Sequence, residues 1–261
     1  MSPPSCVETT GAALNMTDRA LYDDPLLSLA YGKLRSRAGR PNEVIEQPAL
    51  RSLMPSLQGK DVVDLGCGSG GLARWALEQG ARSVKAFDAS EQMIREAIKL
   101  GGDSRSRYEI GRIEDVALPD RSVDVVVSGL ALHYVRDVVT VSRRIRGWLR
   151  EGGSFIVSVE HPIMTCASRQ WAEAADGTRQ HWPVDRYLEE GPRLVRWLGA
   201  DTPREHRTVA SYMNALIDAG LVIRRVLEPG PDPASLQQWP KLTDHVRRPS
   251  FLIIRADHQV A

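Results

Sequence analysis

The sequence has few cysteines, few aromatic residues and almost no surplus of charge. Its three cysteines, Cys6, Cys67 and Cys166, are odd in number and far apart in 261 residues. This pattern matches neither a zinc framework nor a disulfide framework, so we expect a reducing compartment and no metal site. With 34 basic and 33 acidic residues, the formal net charge of +1 gives no electrostatic signature of nucleic-acid binding.

Long hydrophobic runs are lacking as well. No apolar segment approaches the roughly 20 residues that a membrane-spanning helix needs. The first residues also lack the basic head and apolar stretch of a signal peptide. We therefore expect a cytoplasmic protein that acts on a small molecule, with neither a membrane nor a nucleic acid as partner. A homo-oligomer is compatible with this composition.

Short apolar segments alternate with amphipathic helical segments through most of the chain. The segments with strand patterns are residues 61–65, 83–88, 107–110, 123–128, 154–160, 221–227 and 250–255, and those with helix patterns are 72–79, 91–100, 137–149 and 208–219. Regular alternation of strand and helix predicts right-handed crossovers and a parallel sheet covered on both faces. The predicted fold class is therefore α/β, doubly wound and Rossmann-like.

Two regions depart from this alternation and define the predicted domains. Residues 1–57 begin with a tail rich in Ser, Pro, Thr and Gly and continue with helical patterns broken by prolines, which predicts a tail and a helical cap. Residues 58–261 form the Rossmann-like domain. Within it, residues 162–206 are rich in Trp, Pro, Arg and Gly, and we predict that they form an inserted lid.

The strongest motif is a glycine-rich turn directly after the first predicted strand. Gly66, Gly68 and Gly71 have the spacing of a nucleotide-binding turn, in which glycine lets the backbone bend sharply and approach a ligand closely. Because the same spacing satisfies the dinucleotide fingerprint, the glycines alone do not select a cofactor.

Two aspartates narrow the choice of cofactor. Asp64 ends the first strand beside the glycine turn. There it would repel the pyrophosphate of a dinucleotide and attract the ammonium and sulfonium of S-adenosylmethionine. A charged hydrogen bond at this place contributes roughly 1.5–3 kcal/mol. Asp88 ends the second strand, a place suited to binding both hydroxyls of a ribose. The charge argument favours the sulfonium cofactor.

With these features, the chain resembles the class I S-adenosylmethionine-dependent methyltransferases. The resemblance is carried by DLGCGSG at 64–70, Asp88, LALHY at 130–134, and, for one bacterial small-molecule subgroup, EHPI at 160–163 and RPSF at 248–251. It covers residues 20–256 and implies a seven-stranded sheet with the last strand antiparallel, the cofactor over the glycine turn and the acceptor under the lid. The cofactor-binding residues that it implies are Asp64, Gly66, Cys67, Gly68, Asp88, Ala89, Met93, Arg112, Ile113, Glu114, Ser128, Tyr31 and Arg35.

One position departs from the family pattern. After the third strand the family usually carries an acid that meets the adenine amino group, and this sequence has Arg112 there, with Glu114 two residues on. Backbone amides of this loop or the Glu114 carboxylate are the alternatives for holding adenine.

The candidate catalytic groups follow the fifth predicted strand and the lid. Glu160 ends a buried strand, where a carboxylate is costly unless it is paired or faces a polar cleft, so we rank it first as a general base. His161 is the neighbouring candidate, and His206 and Tyr22 are expected to reach the same cleft and complete a Tyr–Glu–His relay. Anchoring of the lid is an equally good explanation for His161 and His206.

The acceptor itself is not specified by a motif. The tryptophans Trp171, Trp182, Trp197 and Trp239 fit either an aromatic acceptor pocket or packing of the lid. An indole- or phenol-like metabolite methylated at C, O or N is the leading hypothesis. One alternative is an NAD-dependent oxidoreductase, which Asp64 and the lack of a Tyr-x-x-x-Lys pair disfavour. The other is a non-catalytic protein that binds S-adenosylmethionine.

Overall fold

The structure of the protein is a computed structural model that describes residues 23–101, 103–166 and 170–259. The predicted N-terminal tail and Tyr22 lie outside these residues. The helices are α1 Pro25–Arg35, α2 Gln47–Ser52, α3 Gly71–Glu78, α4 Glu91–Leu100, α5 Val138–Trp148, α6 Val209–Asp218, α7 Pro233–Gln238 and α8 Asp244–Arg247. The strands are β1 Asp61–Leu65, β2 Ser83–Asp88, β3 Ser106–Ile110, β4 Val123–Gly129, β5 Leu149–Glu160, β6 Ala172–Glu173, β7 Arg179–His181, β8 Gly191–Trp197, β9 Ala200–His206, β10 Val222–Leu227 and β11 Phe251–Asp257.

Seven strands form one sheet in the order β10-β11-β5-β4-β1-β2-β3. The pairs from β5 across to β3 are parallel, whereas β11 runs antiparallel to both β5 and β10, between which it lies. The predicted doubly wound sheet with an antiparallel last strand is therefore confirmed. Because the parallel strands end at a common edge, the residues that follow β1, β2, β4 and β5 lie along one crevice.

The sheet is buried on both faces, which explains the uninterrupted apolar character of its central strands. One face packs against α5 and α6 in a core that includes Val157 and Val159 of β5. The opposite face packs against α2 and α3 in a second core that includes Leu50 and Ile156. Side chains alternate along β5, so Ser158 and Glu160 face the same side as Ile156.

Prolines shape the helical cap, as the broken helical patterns indicated. Pro25 occupies the first turn of α1, behind an N-cap at Asp24. Pro41 precedes a five-residue π-helix, Asn42–Glu46, which continues into α2 with Pro48 in its first turn. Proline is tolerated at the start of α1 because a first-turn amide has no partner within its own helix.

The predicted lid region contains two small antiparallel hairpins, β6–β7 and β8–β9. Along β9 the buried residues alternate, with Thr202, Arg204 and His206 facing inward. The division of the chain near residue 57 and the exact lid boundaries remain predictions. In the part of the chain that the structure covers, no helix combines the length and the apolar character that crossing a membrane requires.

Candidate active site

Two glycines of the turn after β1 are required by close packing. Gly66 has a φ of 78°, and a Cβ added there would lie 2.2 Å from the Cβ of Ala131. Gly70 has a φ of 75°, and its added Cβ would lie 2.7 Å from the ring of Tyr108. Residues with a side chain rarely adopt these left-handed angles. Packing therefore fixes the shape of the turn.

Gly68 differs from its neighbours because it borders open space. Its φ is 52°, and no atom of the described residues lies within 4 Å of a Cβ added there. Its amide points toward β2 and donates to Asp88 Oδ2 at 2.8 Å. The space above Gly68 can therefore hold a ligand in direct contact with backbone.

Asp88 organises the end of β2. Its Oδ1 accepts from the amide of Ser90 at 2.9 Å, and Ser90 in turn caps α4 by accepting from Met93 N at 3.2 Å. Burial raises the pKa of the Asp88 carboxyl, and the amides of Ser90 and Gly68 oppose that rise. Each oxygen is thus oriented by one backbone amide, which leaves further lone pairs for hydroxyl donors.

Asp64 is buried without full hydrogen bonding. Its relative exposure is 2%, and its Oδ2 has no partner among the described residues. Burial, with a smaller contribution from the charge of Asp88, raises the pKa of Asp64 to about 7. A buried carboxylate is costly unless a donor or a cation meets it. Asp64, Asp88 and the open space at Gly68 together fit a ligand that carries an ammonium and a ribose, as S-adenosylmethionine does.

Some of the other predicted cofactor residues are bonded or packed within the protein, and others lie near the open space at Gly68. Ser128 Oγ donates to the carbonyl of Leu65 at 2.9 Å, which ties β4 to β1. Cys67 is buried, and burial raises the pKa of its thiol above the usual range, so it packs as a neutral group. Ile113 is buried beside the turn, 3.8 Å from a Cβ added at Gly66. Met93 is buried in α4, whereas Ala89 is exposed.

In the loop after β3, Arg112, which stands where the family usually has an acid, and Glu114, which was predicted to replace that acid, make only a long contact. Arg112 has a largely exposed side chain, 3.9 Å from Glu114 Oε1. The carbonyl of Glu114 accepts from Arg144 of α5, which fixes the backbone there. Both alternatives, the loop amides and the Glu114 carboxylate, stay predictions.

The cap contributes Arg35 and Tyr31 of α1. Arg35 donates to Ser69 Oγ at 2.5 Å and forms a salt bridge with Glu96 of α4 at 3.1 Å. Its guanidinium carbon lies 5.9 Å from the centre of the Tyr31 ring. Burial raises the pKa of Tyr31, so its hydroxyl stays protonated. These contacts hold α1 against the glycine turn.

At the end of β5, which the sequence predicts to face the acceptor, the amide of Glu160 donates to His133 Nδ1 at 3.4 Å, and its carboxylate is ion-paired with an arginine. Glu160 Oε2 accepts from Arg204 Nε at 3.1 Å. Arg204 is 2% exposed and stacks on two aromatic rings, 4.5 Å from the centre of Tyr134 and 5.7 Å from that of Trp197. Trp197 also packs against Tyr31 of the cap at 5.7 Å. The sheet edge, the lid and the cap therefore meet at this cluster.

The two candidate histidines have partners elsewhere. His161 Nε2 lies 2.6 Å from Glu228 Oε1, and its Nδ1 accepts from a backbone amide. His206 Nδ1 lies 2.7 Å from Thr165 Oγ1, and Nε2 lies 2.9 Å from the Tyr187 carbonyl. Burial lowers the pKa of both imidazoles, so both rings tend toward the neutral form. The predicted pairing of Glu160 with His206 is replaced by these contacts.

The four tryptophans considered for an acceptor pocket are distributed over three places. Trp171 and Trp182 pack edge to face at 5.4 Å, with Arg247 and Arg248 stacked on them. Trp239 abuts Gly39, where an added Cβ would come within 2.5 Å of the indole. Trp197 stands apart from these three in the Arg204 cluster. Packing therefore accounts for the first three.

Sequence reasoning missed Arg204 and Glu46, a buried cap residue described below. The alternating burial of β9 could have singled out Arg204, because an arginine on the inward face of a hairpin needs an acidic or aromatic partner. For Glu46, the helical pattern gave no signal that its side chain would be buried.

Comparison with known proteins finds methyltransferases. The family described as methyltransferase domain matches residues 63–157. A solved S-adenosylmethionine dependent methyltransferase from Mesorhizobium loti is 43% identical with a TM-score of 0.77, covering 81% of this chain and 97% of that one. Another, from Listeria monocytogenes, is 39% identical with a TM-score of 0.78, covering 82% and 97%. Trans-aconitate 2-methyltransferase of Mycolicibacterium gilvum is 30% identical over 77% of this chain and 69% of that protein.

Proposed function

The chain belongs to the class I S-adenosylmethionine-dependent methyltransferases, and from this premise we propose that its acceptor is a small aromatic or heteroaromatic molecule with an N–H or O–H group. Methyl transfer from S-adenosylmethionine is the activity, and NAD-dependent oxidation is set aside. The proposal concerns which molecule receives the methyl group and which residues orient it.

On the cofactor side, three groups of the chain do the binding. When bound, the cofactor supplies a methyl group already activated on a sulfonium. We assign the ammonium to the carboxylate of Asp64, whose Oδ2 has no described partner, and the ribose hydroxyls to Asp88. The left-handed Gly68 lets the ligand lie directly on the backbone. These groups hold the cofactor in place, and the acceptor must be held in line with it.

On the acceptor side, the observation that carries the proposal is the Glu160–Arg204 ion pair between the rings of Tyr134 and Trp197. Arg204 stabilises the charge of Glu160 and fixes the direction of its carboxylate. A fixed carboxylate accepts a hydrogen bond from an N–H or O–H donor, and it takes up the proton as the acceptor atom becomes methylated. The neighbouring rings favour a flat apolar body beside that donor.

The acceptor named for the Mycolicibacterium gilvum relative, trans-aconitate, suggests the chemical contrast that tests this proposal. A carboxylate acceptor attacks the methyl group without giving up a proton, so it needs no base. An indole or a phenol differs, because a proton must leave during the reaction or after it. The dependence of turnover on Glu160 therefore distinguishes the two classes of acceptor.

We predict that Glu160→Gln lowers turnover about 10²–10⁴-fold, the usual contribution of a positioned base, while the affinity for S-adenosylhomocysteine is retained. Phenols, indoles and carboxylic acids would be screened by mass spectrometry for methylated product, and kcat would then be measured on the best acceptor. Calorimetry would give the affinity. Glu189→Gln, an exposed glutamate in the lid, is the matched control.

An unchanged kcat in Glu160→Gln would remove the base role, and methylation of the carboxylic acids alone would replace the proposed acceptor class. If the wild-type protein binds S-adenosylhomocysteine but methylates none of the three classes, the non-catalytic alternative is favoured.

A further inference from the structure

Glu46 is a buried carboxyl group that neither the cofactor contacts nor the acceptor contacts explain. It is the last residue of the π-helix in the cap and is 3% exposed. Short π-helical segments occur frequently at functional sites, because they turn one side chain out of the regular helical register. Here that side chain reaches the edge where β4 and β5 end.

The carboxylate of Glu46 is connected to the sheet by one side chain. Ser158 of β5 donates its hydroxyl hydrogen to Glu46 Oε1. The Ser158 oxygen then accepts from the amide of Leu130 at 3.1 Å, and the same amide also donates to the Ser158 carbonyl at 3.0 Å. Glu46, Ser158 and Leu130 are therefore linked by consecutive hydrogen bonds that run from the cap to the turn after β4.

Leu130 needs such support because its backbone is in the left-handed region. Its φ is 53°, which is unfavourable for a residue with a Cβ. Residues held in this way by their surroundings are frequent at functional sites. The unusual angle at Leu130 sets the direction in which the following residues leave the sheet.

The residues that follow Leu130 contact both halves of the active site. Ala131 lies directly against Gly66, where it leaves no room for a side chain. Tyr134 lies beneath the guanidinium of Arg204. A displacement of this turn would therefore disturb the glycine turn under the cofactor and the cluster that faces the acceptor.

We propose that Glu46 is a positioning residue for methyl transfer, acting through Ser158 to hold the turn of residues 130–134 against the glycine turn. The bond from Ser158 requires an acceptor oxygen on residue 46, with or without a charge. Burial raises the pKa of Glu46 to about 7, opposed by Ser158 and by the charge of Arg51. A glutamine retains the acceptor oxygen and is therefore the conservative substitution.

The test compares Glu46→Ala and Glu46→Gln in the full chain by calorimetry with S-adenosylhomocysteine and by hydrogen exchange of residues 129–134. Since Glu46→Ala leaves the Ser158 hydroxyl without its acceptor, we expect about tenfold weaker binding and faster exchange of the Leu130 amide. Glu46→Gln should stay within about threefold of wild type in affinity, with normal exchange. Glu43→Ala, an exposed glutamate of the same π-helix, should match wild type in both measurements.

Several outcomes would overturn the proposal. A lower melting temperature in Glu46→Ala, with unchanged affinity and exchange, would show that Glu46 only stabilises the cap. If Glu46→Gln behaved like Glu46→Ala, the charge would matter and not the hydrogen bond. The exchange measurement needs no ligand, so a wild-type protein that failed to bind S-adenosylhomocysteine would refute the cofactor assignment while the role of Glu46 was still decided.

Discussion

The cofactor side and the acceptor side of the sheet edge differ in how their polar groups are satisfied. On the cofactor side, Asp64 Oδ2 has no described partner and Gly68 borders open space. On the acceptor side, Glu160 pairs with Arg204, and His161 and His206 are bonded within the lid and its surroundings. On the proposed cofactor side, one buried carboxylate oxygen has no partner among the described residues, whereas on the proposed acceptor side each candidate group has a partner within the protein.

This difference shows where a ligand can be inferred from the protein alone. A buried carboxylate without a partner is unfavourable, so its presence indicates a binding partner of opposite charge. A bonded histidine gives no such indication, because its contacts already satisfy it. The chemistry of the cofactor can thus be derived from the cofactor side, whereas the acceptor must be inferred from shape and from one oriented carboxylate.

Among the variants that test this difference between the two sides, Asp88→Ala is expected to have the largest effect on cofactor affinity. The variant removes the group assigned to both ribose hydroxyls and the acceptor for the amides of Gly68 and Ser90. Two charged hydrogen bonds are worth about 1.5–3 kcal/mol each, so the affinity for S-adenosylhomocysteine should fall at least about a hundredfold in calorimetry. Asp218→Ala, an exposed aspartate at the end of α6, is the control. Unchanged binding in Asp88→Ala would mean that the ribose lies elsewhere.

The same contrast explains how much of the molecule could be predicted from sequence. The alternation of strands and helices, the glycine turn and the aspartates that end β1 and β2 are local patterns, and each specifies a local geometry. Because a parallel sheet brings the strand ends to one edge, the residues in these patterns come together in space. No information on tertiary contacts is needed to predict this. The predicted sheet, with its antiparallel last strand, was therefore confirmed.

The acceptor side could not be predicted in the same way, because its geometry depends on tertiary partners. Glu160 was expected to meet His206, yet Arg204 occupies that place. Arg204 lies on the inward face of a hairpin whose position relative to β5 no local pattern reveals. Glu46 is similar, since a π-helix turns its carboxyl group toward Ser158. The positions of both side chains depend on contacts between segments that are far apart in the sequence.

A second, smaller effect concerns the pH dependence of cofactor binding. Burial raises the pKa of Asp64 to about 7 in the protein without ligand, and a cationic ammonium binds the ionised carboxylate. Affinity for S-adenosylhomocysteine should therefore increase up to about tenfold per pH unit as the pH rises toward 7, and level off above it. Calorimetry between pH 5.5 and 8.5, roughly centred on that pKa, would measure this.

In Asp64→Asn the pH step should vanish and the affinity should be low throughout. Glu46→Gln should keep the step, which separates Asp64 from the other carboxyl group whose pKa is about 7. A wild-type affinity that is flat over this range would contradict the assignment of the ammonium to Asp64.

The smallest expected effect belongs to the acceptor side, where His206→Gln tests whether a bonded histidine serves only the fold. Its ring joins Thr165 to the carbonyl of Tyr187, so the substitution should cost about 1–3 kcal/mol of unfolding free energy. For a chain of this length, each kcal/mol lowers the melting temperature by about 2–4 °C. The affinity for S-adenosylhomocysteine should not change. His181→Gln, an exposed lid histidine, should leave both quantities unchanged. If His206→Gln instead kept its melting temperature and lost most of its turnover, His206 would take part in the reaction. The acceptor side would then contain a reactive group even though that group is fully hydrogen-bonded within the protein.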